Sequence, residues 1–151
     1  MKRNQLINII QDLTDHAVNI QYDEDGFYYD MDNGGTIRFT LNDSFADDTD
    51  WRDFLKERFG FRLTAYNWFT MSILHELGHH FTIEYFTAEE WNKMCEVLDS
   101  EDPHEINMDH FNQKNELMAT AWAVAYYKRN RHEMNNINRR FKRAFKKMPR
   151  G

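Results

Sequence analysis

An α+β fold is predicted for this chain by three observations. Between residues 18 and 41 apolar side chains alternate with polar ones, while the segments on either side repeat with the period of a helix. One of the later helical stretches contains His75-Glu76-Leu77-Gly78-His79. A further helical stretch, about forty residues on, is headed by Glu116. The expected layout is a small, mostly antiparallel N-terminal sheet, a helix bearing the paired histidines, and a following helix bearing the glutamate. With 151 residues, 41% of them apolar, and twelve Phe, seven Tyr and four Trp, the chain has enough bulk for a real core, and 1–151 reads as one domain.

Each element follows from its pattern. Leu6, Ile7, Ile9, Ile10 and Leu13 fit a first helix buried on one face. Val18-Ile20-Tyr22, Phe27-Tyr29-Met31 and Ile37-Phe39-Leu41 predict three strands, and Asp32-Asn33-Gly34-Gly35 has the positive-φ chemistry of a hairpin turn. Asp43 to Asp50 reads as an acidic loop, and Trp51–Arg58 as a short helix stopped by Gly60. Ala65, Trp68, Phe69, Ile73, Leu74, Leu77 and Phe81 outline the buried face of the histidine helix, with Thr64 as its N-cap. Thr87-Ala88-Glu89-Glu90 is a capping box opening a helix to about Leu98, and Ser100-Glu101-Asp102-Pro103 interrupts it. His104 and His110 fall in a polar stretch that reads as loop. From Glu116, Ala119 and Ala123 follow at nearly one-turn intervals, a small-residue stripe that lets two helices approach closely, and Leu117, Ala121, Val124 and Ala125 add apolar positions.

The paired histidines carry the chemistry. Two histidines four apart on a helix lie on one face, close enough for both imidazoles to reach a single tetrahedral Zn²⁺. The adjoining Glu76 then stands beside the metal, where it can take a proton from a water that zinc has acidified. A catalytic zinc site needs a third protein ligand and an open position. Glu116 is the best candidate, with Glu84, His104, Glu105, Asp109 and His110 as competing donors. His80 lies off the His75/His79 stripe and reads as a surface residue or one behind the ligands. Oxyanion-stabilising candidates are Tyr126, Tyr127, His104 and His110, which spacing alone does not separate.

Residues 36 to 127 resemble the gluzincin type of zincin metallopeptidase, in which H-E-x-x-H on one helix is completed by a glutamate from a later helix. The chain is most similar to the small ImmA/IrrE-like peptidases of bacteria and their phages. The resemblance implies one Zn²⁺ on His75, His79 and Glu116, Glu76 as general base, a peptide or protein substrate, and site-specific cleavage of a regulatory protein. Where the family's glutamate segment continues to aspartate this chain has Thr120, which can orient a histidine but supplies no charge. Thr82 and Tyr85 stand where the longer metzincin and aspzincin patterns need glycine and a third ligand. The strand Gly35–Leu41 is the expected substrate-binding edge, with a central strand as the plain alternative. A catalytically silent binding module of zincin descent is the rival class.

Charge divides the chain in two. From Lys128 onward there are ten Lys or Arg and one acid, Glu133, whereas residues 1–127 hold nine basic and twenty-four acidic side chains, for a net charge of −6. Met134, Ile137, Phe141, Ala144, Phe145 and Met148 recur at helical spacing, which predicts a basic amphipathic helix at about 131–148. Such a helix docks on the acidic body, or offers its basic face to nucleic acid or an acidic partner. Cys95, the only cysteine, reads as a buried helix position. No apolar run approaches the roughly twenty residues of a membrane span, and Met1-Lys2-Arg3-Asn4-Gln5 leads into an amphipathic segment. A cytoplasmic protein of a bacterial or phage-infected cell is expected.

Overall fold

In the computed structural model, which describes residues 2–41 and 49–146, seven α-helices accompany a three-stranded mixed sheet, which packs mainly on the first and third of them. In chain order the elements are α1 (Lys2–Leu13), β1 (Asn19–Tyr22), β2 (Tyr28–Asp30), β3 (Thr36–Phe39), α2 (Thr49–Phe59), α3 (Trp68–Thr82), α4 (Ala88–Met94), α5 (Pro103–Asn112), α6 (Lys114–Arg129) and α7 (Arg131–Lys146). The α+β class holds. Of the expected acidic loop, residues 43–48 lie outside the described residues, as does Met148, and Thr49 and Asp50 already belong to α2.

Sheet order is β1-β3-β2, with β1 parallel and β2 antiparallel to β3, so the sheet is mixed rather than mostly antiparallel. Burial explains the order. Ile37 and Phe39 of β3 are fully buried, whereas Tyr28 of β2 is 41% exposed, and the more apolar strand takes the centre. The expectation of β3 as a free edge therefore fails: both its sides are paired, and β2 holds the edge. The predicted hairpin forms between β2 and β3, reversing through Asn33 (φ 56°), Gly34 (φ 85°) and Gly35 (φ 98°). At Gly35 a Cβ would also meet Tyr29 Oη and His80 Nδ1, each at 2.8 Å.

The central element is α3. Its N-terminus is tied by a reciprocal arrangement in which Thr64 Oγ1 accepts from the Tyr66 and Asn67 amides and Asn67 Oδ1 accepts from the Thr64 amide. Thr64 thus caps the preceding turn, and α3 itself starts one turn later, with Asn67 at its N-cap. Phe69, Ile73, Leu74 and Leu77 enter the core as expected. Ala65 precedes the helix and is exposed, and Phe81 is 44% exposed, stacked on Trp122. The closest partner of α3 is α6: a Cβ on Gly78 would sit 2.4 Å from Ala119 O, so only glycine lets the two backbones meet. Ala119 and Ala123 are fully buried there, while Ala121 and Ala125 face outward.

Both ends of the chain close over the same core. Leu6, Ile9, Ile10 and Leu13 of α1 pack with Met134, Ile137, Phe141 and Ala144 of α7, so α7 docks by its apolar stripe. The capping box at Thr87 and Glu90 forms, but α4 stops at Met94. Val97 and Leu98 are exposed, so no core lies beneath them to extend the helix. Cys95 is exposed at the end of α4, not buried, because α4 has no buried residue and lies on the surface. Among the described residues no helix is long and apolar enough to cross a membrane.

Candidate metal centre

Three side chains from α3 and α6 converge. One Glu116 oxygen, Oε2, lies 2.7 Å from His75 Nε2 and 2.8 Å from His79 Nε2. One ligand atom from each of the three residues falls within 4.8 Å of the others. The i, i+4 spacing puts both imidazoles on the face of α3 that Gly78 brings against α6, and Glu116, in the first turn of α6, projects back at them. His75, His79 and Glu116 could therefore bind a metal ion. Two neutral imidazoles and a carboxylate are the donor set expected of a zinc site with one position left open.

The clustered side chains shift one another's protonation. Burial would raise the carboxyl of Glu116, but the His75 imidazole and hydrogen bonds from His110, His75 and His79 outweigh it and hold the group well below its ordinary range. Burial pushes the His79 imidazole down, yet the contact with Glu116 wins and raises it. Glu76 is 6% exposed, and burial raises its carboxyl against the opposing pull of His75 and His79. Glu76 Oε2 and His79 Nδ1 are buried without a hydrogen-bond partner among the described residues.

His75 is held from behind. Its Nδ1 lies 3.1 Å from Thr120 Oγ1, within hydrogen-bond distance, so the Thr120 hydroxyl holds the ring from the side opposite Glu116. His80 is half-buried and shares a 2.8 Å hydrogen bond with Tyr29 Oη, away from the triad.

Of the competing donors only His110 reaches the cluster. Its Nε2 is 3.0 Å from Oε1 of Glu116, the oxygen that the other two histidines leave free. Glu84 and Asp109 are exposed, Glu105 accepts from Ser100, and His104 pairs with Asp50 at 2.9 Å. His104 and His110 lie on a helix, α5, not in a loop. Asp102 caps it by accepting from the His104 amide and Pro103 occupies its first turn, an N-terminal signature present in the sequence. The two tyrosines lie elsewhere: Tyr127 is buried and accepts from Asn138, and Tyr126 stacks on Trp122.

A pocket of about 160 Å³ opens over the cluster, lined by Phe27, Trp51, Ser72, His75, Glu76, His110, Phe111 and Glu116. Trp51 meets His75 edge-on at 5.2 Å and packs on Phe111 at 5.2 Å. Sequence reasoning missed this role of Trp51, since helical periodicity carries no signal for which distant helix its aromatic face meets. No family model, curated protein or solved structure matches this chain. The pocket's walls carry two of the three groups that could bind a metal ion, His75 and Glu116, together with the His110 imidazole and the buried carboxylate of Glu76.

Proposed function

We propose that the chain is a zinc-dependent peptidase of the zincin kind, with His75, His79 and Glu116 holding the metal and Glu76 serving as general base. The observation that carries this reading is the convergence of His75 Nε2, His79 Nε2 and Glu116 Oε2, with the buried Glu76 lining the same pocket. Zinc bound there supplies Lewis acidity toward a peptide carbonyl and toward water. Glu76 takes a proton from that water on its carboxylate and returns it to the departing amine nitrogen. Burial suits Glu76 to the first step, because a carboxyl raised above its ordinary range is the stronger base toward an acidified water.

An extended substrate adds to the outer edge of β2, which pairs with no other strand among the described residues. Phe27, immediately before that strand, lines the pocket, so a peptide paired there by main-chain hydrogen bonds passes over the cluster. Such binding gives little side-chain selectivity, and the aromatic walls of Phe27, Trp51 and Phe111 supply the rest. Site-specific cleavage of a regulatory protein in the cytoplasm of a bacterial or phage-infected cell is the biological role this chemistry suits.

The test is elemental analysis of tag-free protein beside His75→Ala, Glu116→Ala and Glu76→Gln, with cleavage of an unbiased peptide library followed in parallel. About one zinc per chain is expected in the parent and in Glu76→Gln, with substantial loss in the other two. Cleavage should fall ~10²–10⁴-fold in Glu76→Gln. Absence of metal after zinc is supplied, or parental cleavage by Glu76→Gln, overturns the reading and leaves the binding module.

A further inference from the structure

The basic face of α7 is sorted by side, which the composition of the tail does not reveal. At ~100° per residue, Arg131, Arg139, Lys142 and Lys146 fall within an arc of roughly 80°, with Asn135 in the same arc. The buried residues Met134, Ile137, Phe141 and Ala144 occupy another face. Glu133, the only acid of the helix, lies on the far flank with Arg140. That flank is neutralised: Arg140 pairs with Asp12 of α1 at 2.8 Å, and Glu133 acts electrostatically on Tyr126 together with Asp15.

The other flank borders the segment between α2 and α3. Tyr66 Oη donates to Asn135 O, and Lys142 Nζ stands 5.8 Å over the Tyr66 ring. Lys128 Nζ donates to Phe59 O, drawing the end of α6 to the last residue of α2, where that segment begins. Arg62, exposed in that segment, adds a further cation. Arg131, Arg139, Lys142 and Lys146 are exposed and make no ion pair within the described residues; Arg131 lies over the Tyr127 ring and Lys142 over that of Tyr66. The result is an acid-free stripe ~22 Å long at 1.5 Å per residue, with the 40%-exposed Tyr66 at its side. Lys128 is twelve residues along α6 from Glu116, which sets the stripe's near end ~18 Å from the metal cluster.

We infer that the Arg131–Arg139–Lys142–Lys146 flank of α7, with Arg62 and Tyr66 beside it, is a binding surface for the phosphate backbone of a nucleic acid. Cations spaced along a straight helix match a line of phosphates, and an adjacent aromatic ring accepts an unstacked base, the combination used for single strands. Contacts of this kind follow the backbone and carry no sequence preference. The inference does not depend on the metal site.

Fluorescence anisotropy of a labelled single-stranded oligonucleotide, titrated with the intact chain across a salt series, tests it. Four phosphate contacts on a single strand give a log–log salt slope of about −3, or a loss of roughly 50-fold between 50 and 200 mM salt. The double variant Arg139→Gln/Lys142→Gln, at exposed positions that leave the core intact, should bind at least tenfold more weakly and reduce the slope by about 1.4. Lys93→Gln on α4 removes an exposed cation elsewhere and should change neither. No binding at 50 mM salt, an equal effect of Lys93→Gln, or a preference for phosphatidylserine vesicles over the oligonucleotide would each overturn the inference, the last in favour of a lipid surface.

Discussion

Glu76 sits at a depth where a carboxylate normally satisfies both oxygens, yet its Oε2 has no hydrogen-bond partner among the described residues and the side chain lines the pocket. A structural carboxylate in that setting is costly, whereas one that must accept a proton has reason to keep a free oxygen. Thr120 completes the picture from the opposite side. Its hydroxyl fixes His75 by Nδ1, which leaves Nε2 to face the cluster, and at 1% exposure no water can replace it. Thr120→Val keeps the volume and removes only the hydroxyl, so metal affinity should fall ~10–100-fold while the fold survives. Competition with a chromophoric chelator measures this, and an unchanged affinity would show that Thr120 has no part in orienting the imidazole.

At the scale of elements, the site exists because α3 and α6 touch at Gly78. Gly78→Ala would gain ~1 kcal/mol of helix propensity, but its Cβ meets the Ala119 carbonyl at 2.4 Å, and backbone cannot move aside as a flexible side chain does. Overpacking of this kind costs ~1–3 kcal/mol or more, so net destabilisation and lower zinc occupancy are expected by denaturant titration and metal analysis. A second contact holds α5, and with it His110, in place: Asp50 accepts from His104 and from Asn107 Nδ2. The hydrogen bond that His104 donates to Asp50 raises His104, so that part of the tether is present below the ordinary imidazole value of ~6.5 and is lost as pH rises through the folded one. Hydrogen bonds from Asn107 and His104 lower Asp50, so its part is present above ~3.9 and is lost as pH falls. Protection of α5 amides, corrected for intrinsic exchange, should therefore be greatest between about pH 4 and 6.5, and Asp50→Asn should flatten the profile.

The same elements show what was legible in the sequence. Local chemistry was: the Asn33-Gly34-Gly35 reversal, the Thr87/Glu90 box, the amphipathic faces of α1 and α7, and the Glu116–Ala119–Ala123 stripe all depend on residues a few positions apart. What failed depends on distant partners. Strand order turned on whether β2 or β3 buried more apolar surface, and the polar residues around His110 hid a helix anchored through Asp50, more than fifty residues earlier.

Across the whole molecule, the His75–His79–Glu116 cluster occupies one end of the α3–α6 pair and Asn138 of α7 locks the other. Asn138 is fully buried, accepts from Thr70 of α3 and donates to Tyr127 of α6 at 2.9 Å, so three helices meet at one side chain. Arg140 to Asp12 adds only an exposed ion pair to this docking, which contributes little. Asn138→Ala leaves the Thr70 and Tyr127 hydroxyls to find new partners in a dry junction and opens a small cavity. Thr70 can turn to the carbonyl one helical turn back, but Tyr127 has no such local fallback. A loss of about 2–4 kcal/mol is expected, the sum of one buried polar group left unpaired and the cavity. Because His75, His79 and Glu116 lie beyond the junction, zinc stoichiometry should not change. The midpoint of urea unfolding should therefore drop in the variant with and without chelator by the same amount, and zinc should stabilise parent and variant equally. A variant that lost metal along with stability would show that α7 docking and the metal cluster are coupled, with the two ends of the α3–α6 pair acting as one cooperative unit.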